Sequence, residues 1–399
     1  MTETVLLTLG RLPKGLELAR ALHGAGCRVL VADPFGLHVC KPSRAVAKSF
    51  RVRAPNQDRQ GYLDDLADII NGEGVDLVVP VSEEAVHVSF LRERLPEGAR
   101  LFGPPRALLQ ALHDKFLFNE RVAKLGLRAP ATFEAGTPEA ADFTARSDYV
   151  VKPREACSGT GVKLRKAGAP LTAEDRQPGN LVQERRYGQE VSSLTLARDG
   201  RVLGTAVYRG LIYSGTVSCC FERVDTCPDV HAFIERFVSD TDYSGFIAFD
   251  FILDGEGGAW PLECNPRLTS GVHLMRADDL AAAVRPGLSA PTVRLNKTPR
   301  YQEGHTTLTE TYAAIFRPKE FFRRFGYLLR SKDVIFSMRD PLPFFLMTPM
   351  SWTILRKVIF GGKSFGEAAT DDIVWDGRHG DASDGTARAR VSLNDAVHE

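Results

Sequence analysis

The sequence has no CxxC pair and an odd number of cysteines, so the usual signatures of a zinc site and of a disulfide framework are missing. Its seven cysteines are scattered along the chain, at Cys27, Cys40, Cys157, Cys219, Cys220, Cys227 and Cys264. A reducing cytoplasm is therefore the expected location. No base partner accompanies these residues in the sequence, and a free cysteine usually behaves as a small buried hydrophobe, so we interpret them as structural.

An excess of charge of either sign is also missing. The 399 residues carry a net charge of +1, with 43% apolar and 25% charged residues, which is an ordinary globular composition. This balance gives no global reason to expect a nucleic-acid partner. The length suits two or three domains. The first residues lack the basic start and long apolar run of a signal peptide, so none is expected.

The dinucleotide fingerprint GxGxxG does not follow the first predicted strand, although the elements around that position are those of a βαβ unit. VLLTLG (4–9) predicts a buried strand, KGLELARALHGA (14–25) a helix and VLVAD (29–33) a second strand. The stretch 63–84 repeats the succession of helix, turn and strand. We therefore predict a Rossmann-like α/β domain over residues 1–108 that does not bind NAD.

After this domain the pattern changes to short strands typical of an α+β fold. The predicted strands cover residues 149–152, 181–184, 191–197, 202–207, 245–253 and 259–264. The first of them ends in Lys152 and leads into a loop of small residues whose backbone N–H groups could close on a phosphate. The spacing is not that of a GxxxxGK[ST] P-loop, and an ordinary turn is the alternative.

Two of these strands, GFIAFDFILD and AWPLECN, are joined by the loop GEGG and predict a β-hairpin. A turn that pairs Asp254 with Ala259 sets Asp250 opposite Glu263, with Asn265 on the same face. Like charges that face each other destabilise a sheet unless a cation lies between them. Because carboxylate and amide oxygens suit Mg²⁺, the hairpin predicts a metal site. A solvated face with two unrelated acids is the open alternative.

A further stretch, LVQERRYGQEVSS, carries one glutamate at a strand end and another a short distance later, Glu184 and Glu190. Backbone groups at a strand end can pair with adenine, and a carboxylate can accept from the adenine amino group. A second carboxylate can accept from ribose hydroxyls. Each glutamate by itself is equally explained as a surface acid.

These pieces follow one another along the chain in this order: Lys115 on a helix, Lys152 with its loop, Glu184 and Glu190, Asp250, and the run Glu263-x-Asn265-Pro266-Arg267. The order resembles the ATP-grasp superfamily, and its carbamoyl-phosphate-synthetase-like branch in particular, over about residues 1–300. The E-x-N-P-R run within a strand hairpin is its most specific element. The resemblance implies a pre-ATP-grasp domain at 1–108 and an ATP-grasp fold of two α+β subdomains at 109–300, with a mobile subdomain at about 130–182.

For ATP, the resemblance implies two groups of contacts. The groups that would bind the phosphates are two lysines and the small-residue loop: Lys115, Lys152, Ser158, Gly159, Thr160 and Gly161. The groups that would bind adenine and ribose are Glu184, Arg185 and Glu190. The loop would act as a mobile flap over the phosphates.

For metal binding and catalysis, the resemblance implies a second set. The ligands of Mg²⁺ (or Mn²⁺) would be Asp250, Glu263 and Asn265. Arg267 and Lys152 would stabilise the transferring phosphoryl group. His273, on the turn after the motif, either orients or deprotonates the second nucleophile or caps the turn. Relatives commonly have Glu or Gln at the position of Asp250, which leaves the number of metal ions open.

The activity implied is that of an ATP- and Mg²⁺-dependent ligase. It would activate a small carboxylate as an acyl phosphate and join it to an amine or another nucleophile, with release of ADP and phosphate. A carboxylate or carbamate kinase and a non-catalytic nucleotide-binding scaffold are the alternatives. Tyr208, Arg209 and Tyr213 are candidate contacts for the substrate carboxylate, or ordinary strand residues. The resemblance also suggests a homodimer.

A basic and aromatic segment lies beyond the region of resemblance. Residues 312–363 carry ten lysines and arginines against three acidic residues, interleaved with aromatic and aliphatic side chains. Within the predicted helical segment 301–376 this stretch is interpreted as a helical cap on the catalytic core, as a peripheral contact with an anionic membrane surface, or as part of an acceptor site. PLPFFLMTPMSWTIL is too short and too rich in proline to span a membrane. Residues 377–399 are predicted to be a disordered tail.

Overall fold

The computed structural model describes residues 2–155, 161–285, 292–363, 365–375 and 377 of the chain. Within these residues lie a parallel sheet near the N-terminus, a small antiparallel sheet, a large mixed sheet and a helical C-terminal part. The predicted combination of α/β and α+β layers is thereby confirmed. The domain boundaries and the mobility of the subdomain at about 130–182 stay predictions, and the predicted tail from residue 378 onward lies outside the described residues.

The N-terminal part alternates strands and helices. Its strands are β1 (Thr4–Leu7), β2 (Arg28–Asp33), β3 (Lys48–Arg51), β4 (Leu77–Val79) and β5 (Arg100–Leu101). Its helices are α1 (Pro13–Gly24), α2 (Arg59–Glu73), α3 (Ala85–Val88), the 3-10 helix η1 (Ser89–Arg94) and α4 (Arg106–His113). The strand order β3-β2-β1-β4-β5 is parallel throughout, so the predicted Rossmann-like sheet is confirmed. The carboxyl ends of β1 and β4 share the edge at which such sheets bind ligands.

Local sequence signals explain the repeated unit around α2. The Asp58 side chain caps the helix by accepting a hydrogen bond of 2.9 Å from the backbone N–H of Gly61. The helix ends at Gly74, whose φ of 61° is the left-handed conformation that glycine adopts without a steric penalty. The buried strand β4 then follows, as the sequence predicts.

A small antiparallel sheet follows in the chain. Its strands are β6 (Thr132–Glu134), β7 (Tyr149–Pro153), β8 (Lys163–Arg165) and β9 (Asn180–Glu184), with the helix α6 (Pro138–Arg146) beside them. The order is β6-β9-β7-β8. The predicted strands 149–152 and 181–184 are β7 and β9, and their pairing sets Lys152 opposite Leu181.

The large sheet carries most of the remaining strands. They are β10 (Gln189–Arg198), β11 (Arg201–Ser214), β12 (Val217–Arg223), β13 (Gly245–Leu253), β14 (Ala259–Asn265), β15 (Arg300–Gln302) and β16 (Lys332–Asp333), in the order β14-β13-β10-β11-β12-β15-β16. Its helices are α5 (Lys115–Lys124), α7 (Pro228–Asp240), the 3-10 helix η2 (Ser270–Leu274) and α8 (Ala277–Val284). Edge-to-face phenylalanine contacts, such as Phe233 with Phe249 and Phe251, fix α7 on β13.

The C-terminal segment is helical and folds back onto the N-terminal part. Its helices are α9 (Gly304–Tyr312), α10 (Pro318–Arg330), α11 (Leu342–Phe345), α12 (Met347–Met350), α13 (Trp352–Gly361) and α14 (Phe365–Thr370). The buried guanidinium of Arg11 binds Asp33 at 2.7 Å and Asp372 at 2.6 Å. Arg20 binds Asp340 at 2.9 Å. Much of the segment therefore caps the N-terminal sheet. Within the residues described, none of the helices combines the length and the apolar character that crossing a bilayer requires.

Candidate functional site

A cavity of about 300 Å³ lies where the N-terminal part meets the large sheet. Its wall includes Lys14 at the start of α1, Glu83 after β4, and residues of β10, β11, β13 and β14. The metal residues predicted from the sequence, Asp250, Glu263 and Asn265, all line it. The predicted convergence of these three side chains is therefore observed.

The hairpin β13–β14 brings the two carboxylates together. Asp250 pairs with Glu263, as predicted, and Asn265 pairs with Ala248. The predicted pairing at the turn was wrong by one residue, because Ala259 pairs with Leu253 and not with Asp254. A bulge between Asp250 and Phe251 restores the register further along the hairpin.

The two carboxylates have different electrostatic environments. Asp250 accepts hydrogen bonds from the Ser192 hydroxyl at 2.5 Å and from the Asn265 amide nitrogen at 3.0 Å. Burial and the nearby charge of Glu263 raise the pKa of Asp250. Burial also acts to raise the pKa of Glu263, but Lys115 and Lys152 outweigh it and lower that pKa. The Lys115 Nζ atom lies 3.3 Å from the Glu263 carboxylate.

Lys152 is a buried cation at the end of β7. Its Nζ donates hydrogen bonds of 2.9 Å to the side-chain oxygen of Gln183 and to the carbonyl oxygen of Leu262. Leu262 is the extra residue of the bulge in β14, so the lysine contacts a carbonyl next to Glu263, one of the predicted metal ligands. Burial is the main cause that lowers the pKa of Lys152, to about 7.

Arg267 is fixed from two sides. Its guanidinium donates to the Asn265 side-chain oxygen at 3.0 Å and forms an ion pair with Glu83. Glu83 is buried, and it follows β4 at the carboxyl end of the parallel sheet. The ion pair therefore joins the N-terminal part to the β-hairpin inside the cavity.

Residues 112–271 match the family model described as the ATP-grasp domain. This part of the chain is an ATP-grasp domain. We found no curated protein whose sequence matches the chain.

Solved structures with the same fold extend the likeness beyond the ATP-grasp domain. The N5-carboxyaminoimidazole synthetase from Staphylococcus aureus is 15% identical, with a TM-score of 0.58 over 74% of this chain and 81% of that one. The corresponding ribonucleotide synthetase from Thermus thermophilus is 18% identical, with a TM-score of 0.56 over 73% and 80%. The biotin carboxylase domain of the Hydrogenobacter thermophilus 2-oxoglutarate carboxylase, a dimer in complex with MgADP, is 16% identical, with a TM-score of 0.56 over 74% and 73%. At such identities the likeness shows a shared fold.

The ATP-grasp domain does not place all of the predicted nucleotide-binding residues at the cavity. Of those that are described, Glu190 lines it, whereas Lys115, Lys152, Gly161, Glu184 and Arg185 do not. Glu184 accepts hydrogen bonds from the backbone N–H of Ala131 and from Arg186. Arg185 lies over the ring of Tyr187.

The flap predicted above the phosphates falls largely outside the described residues. Its members Ser158, Gly159 and Thr160, and the cysteine Cys157 beside them, belong to the segment 156–160 that is not described. Gly161 is described, with a φ of 77°. Every other cysteine is buried and free, in agreement with the structural interpretation.

His273 is buried on η2 and lines the cavity. Its Nδ1 lies 3.1 Å from the Glu17 carboxylate on α1. Because a carboxylate can only accept, Nδ1 carries the proton in this contact and Nε2 is the acceptor nitrogen of the neutral ring. Tyr208, Arg209 and Tyr213 also line the cavity.

Sequence reasoning missed several residues of the cavity wall. Among them are Lys14, Glu83 and, from the C-terminal segment, Glu303, Phe365, Ala369 and Thr370. Lys14 and Glu83 follow strands of the parallel sheet, so the rule that ligands bind at the carboxyl ends of such strands could have indicated both. No comparable signal marks Glu303.

The oxygen ligands present suit a magnesium ion that also binds phosphates. The two acids face each other across the hairpin, and the Asn265 amide lies beside them with its nitrogen toward Asp250 and its oxygen toward Arg267. The amide would have to turn for its oxygen to reach a cation between the two acids. In the described part of the chain, no cluster of three or more His, Cys, Asp or Glu side chains forms a metal centre. A pair of carboxylates completed by substrate oxygens is the arrangement that Mg²⁺ commonly uses.

Proposed function

We propose that the protein is an ATP- and Mg²⁺-dependent ligase. It would activate a small carboxylate as an acyl phosphate and join it to an amine, with release of ADP and phosphate. The observation that carries the proposal is the pairing of Asp250 with Glu263 in a cavity that also contains Arg267. In an ATP-grasp domain, this arrangement combines a cation site with a fixed positive group at one place.

The residues that would hold the metal are Asp250, Glu263 and Asn265. When bound, Mg²⁺ (or Mn²⁺) neutralises the charge that builds on the phosphates during transfer. The cation would also relieve the repulsion between the two facing carboxylates. The complex of MgADP with a structurally similar biotin carboxylase domain supports this cofactor.

The two lysines would bind the phosphates. In the structure, Lys115 and Lys152 compensate the charge of Glu263. Once a cation takes over that role, their ammonium groups become available to phosphate oxygens. A phosphate would also favour the charged form of Lys152, whose pKa burial lowers to about 7. The adenine and ribose contacts of Glu184, Arg185 and Glu190, and the phosphate contacts of residues 158–161, belong to the same proposal.

Arg267 would stabilise the transferred charge. In the first step a carboxylate oxygen of the substrate attacks the γ-phosphorus in line, the bond to the β-phosphate oxygen breaks and ADP leaves. In the second step the amine nitrogen attacks the carbonyl carbon, phosphate leaves and the nitrogen loses a proton. The ion pair with Glu83 and the bond to Asn265 hold the guanidinium in place for both steps.

Glu303 is the group best suited to meet the amine. It lines the same cavity from the start of the C-terminal segment, outside the ATP-grasp domain. Its carboxylate accepts a hydrogen bond of 3.3 Å from Thr306. Burial raises its pKa to about 7, so it can bind an ammonium group as a carboxylate and then take up its proton near neutral pH. His273, with Nε2 as an acceptor, is the second candidate for that proton.

Replacing Glu303 with glutamine should therefore affect the amine and not the carboxylate. We expect the KM for the amine to rise at least about thirtyfold, because a buried charge pair is lost, while the KM for the carboxylate stays unchanged. Steady-state ADP release with each substrate varied in turn measures both constants. Glu310→Gln, on helix α9, is the matched control. Equal changes in both KM values would contradict the assignment.

The overall proposal is tested by ADP release against panels of carboxylates, amino acids and amines. A ligase needs a carboxylate and an amine together for full turnover, and its product contains both. Full ADP release with a single acceptor would instead identify a kinase. Absence of MgATP binding in calorimetry would overturn the proposal. Light scattering of the same sample tests the expected homodimer.

A further inference from the structure

Helix α10 exposes an apolar stripe that no described part of the chain covers. Phe322, Phe325 and Leu329 are all exposed, with 70% of Phe322 and 70% of Leu329 accessible to solvent. Their spacing of three and then four residues places them on one face of the helix. In the turn before the helix, Phe316 is 95% exposed and Ile315 is 50% exposed. A contiguous apolar patch of this kind on a surface marks an interaction site.

The opposite side of α10 is attached to the large sheet. Tyr327 packs against the cluster of Ile212, Cys219 and Cys220. The carbonyl oxygens of Leu328 and Ser331 accept hydrogen bonds from the Gln302 side chain on β15. The helix is thus held in place by one face, and its apolar stripe points away from the protein.

Cations accompany the stripe. On a helical projection Lys319, Arg323 and Arg330 lie along one flank of the three apolar residues. Arg323 is largely neutralised by Glu320, at 2.7 Å. Lys319 and Arg330 are exposed, as is Arg317 at the helix start. The surrounding stretch 312–363 has ten basic and three acidic residues in a protein whose net charge is only +1.

We propose that α10 and the preceding turn form a docking surface for an anionic lipid bilayer. An exposed amphipathic helix with bulky apolar residues on one face and cations at its flank lies in the plane of the interface, with its apolar side chains among the acyl chains. The cations then face the negatively charged headgroups. A second copy of the chain that docked through the same surface would bring two positively charged stretches together, which disfavours self-association there.

The test is flotation of the full chain with vesicles, without any nucleotide or substrate, so that it is independent of the proposed ligase activity. We expect co-flotation with vesicles of phosphatidylcholine and phosphatidylglycerol, and its loss with pure phosphatidylcholine or at high salt. The double variant Phe322→Ser/Leu329→Ser should bind at least about tenfold more weakly, because two apolar side chains no longer insert. Both side chains are exposed, so the thermal midpoint should not fall.

Charge variants distinguish an effect of the cations near α10 from an effect of the protein's overall charge. Arg317→Gln/Lys319→Gln/Arg330→Gln should weaken binding by about fivefold per residue removed. The matched control Lys124→Gln/Arg146→Gln/Arg201→Gln removes the same charge from exposed positions outside the segment and should leave binding unchanged. Equal losses in the two triple variants would overturn the proposal. So would absence of flotation, or a concentration-dependent doubling of the mass in light scattering that Phe322→Ser/Leu329→Ser abolishes.

Discussion

Asp250→Asn is expected to abolish ADP release without lowering the stability of the protein. Asparagine keeps the shape of the side chain and an oxygen for the Ser192 hydroxyl, but it removes one of the two facing charges and the oxygen that accepts from the Asn265 amide. Metal-assisted transfer should then fall at least about a hundredfold. The thermal midpoint without nucleotide should stay about the same, because the lost repulsion between residues 250 and 263 offsets the lost hydrogen bond from Asn265.

Glu263→Gln should behave differently, and the contrast makes the test specific. Glu263 compensates the charges of Lys115 and Lys152, so its loss leaves Lys115 without its carboxylate partner and makes the charged form of the buried Lys152 still less favourable. We expect this variant to lose both turnover and thermal stability. The control is Asp68→Asn at an exposed position of α2, which should change neither. An Asp250→Asn variant with wild-type turnover would remove Asp250 from the proposed metal site.

Arg11→Met is expected to have the largest effect on stability. The buried guanidinium binds Asp33 and Asp372, donates to the carbonyl oxygen of Ala369 and lies 3.4 Å from the centre of the Phe35 ring. Removing one partner of a buried ion pair leaves a carboxylate without compensation, at a cost of about 3–5 kcal/mol. Asp33 keeps three backbone N–H donors, so most of the cost should arise at Asp372.

Urea unfolding measures this effect through the transition midpoint. Arg53→Met is the matched control, because Arg53 also binds two aspartates, Asp58 and Asp65, but on the surface. Exposed pairs contribute little, so this variant should barely move the midpoint. The double variant Arg11→Met/Asp372→Asn should recover part of the loss. An Arg11→Met midpoint close to that of Arg53→Met would contradict the prediction.

The hairpin β13–β14 could be predicted because its signals are local. Alternation along a strand and the length of one loop predicted Asp250 opposite Glu263, but the pair is observed only because a bulge offsets an error at the turn. The predicted pairing at the turn was wrong by one residue, and the bulge at Leu262 corrected the register. Pro261 lies next to that bulge and lacks the N–H that a regular ladder requires. Its position in the sequence therefore indicated an irregularity in β14.

The remainder of the cavity could not be predicted in the same way. Glu83 meets Arg267, and Glu17 meets His273, only because the parallel sheet and the ATP-grasp domain pack together. Such contacts join residues far apart in sequence, and neither spacing nor propensity encodes them. Glu303 is a further example, since a single glutamate before a helix has no pattern that separates it from a surface acid.

The ion pair between Arg11 and Asp372 also has a consequence for folding during synthesis on the ribosome. A nascent chain exposes its N-terminal sheet first, while Asp372 and the cavity residues Ala369 and Thr370 are still to be translated. During this time Arg11 lacks its ion-pair partner Asp372, and the part of the cavity wall formed by Ala369 and Thr370 is absent. A chain that ends before residue 369 would therefore lack the Asp372 partner of Arg11 and one part of the cavity wall.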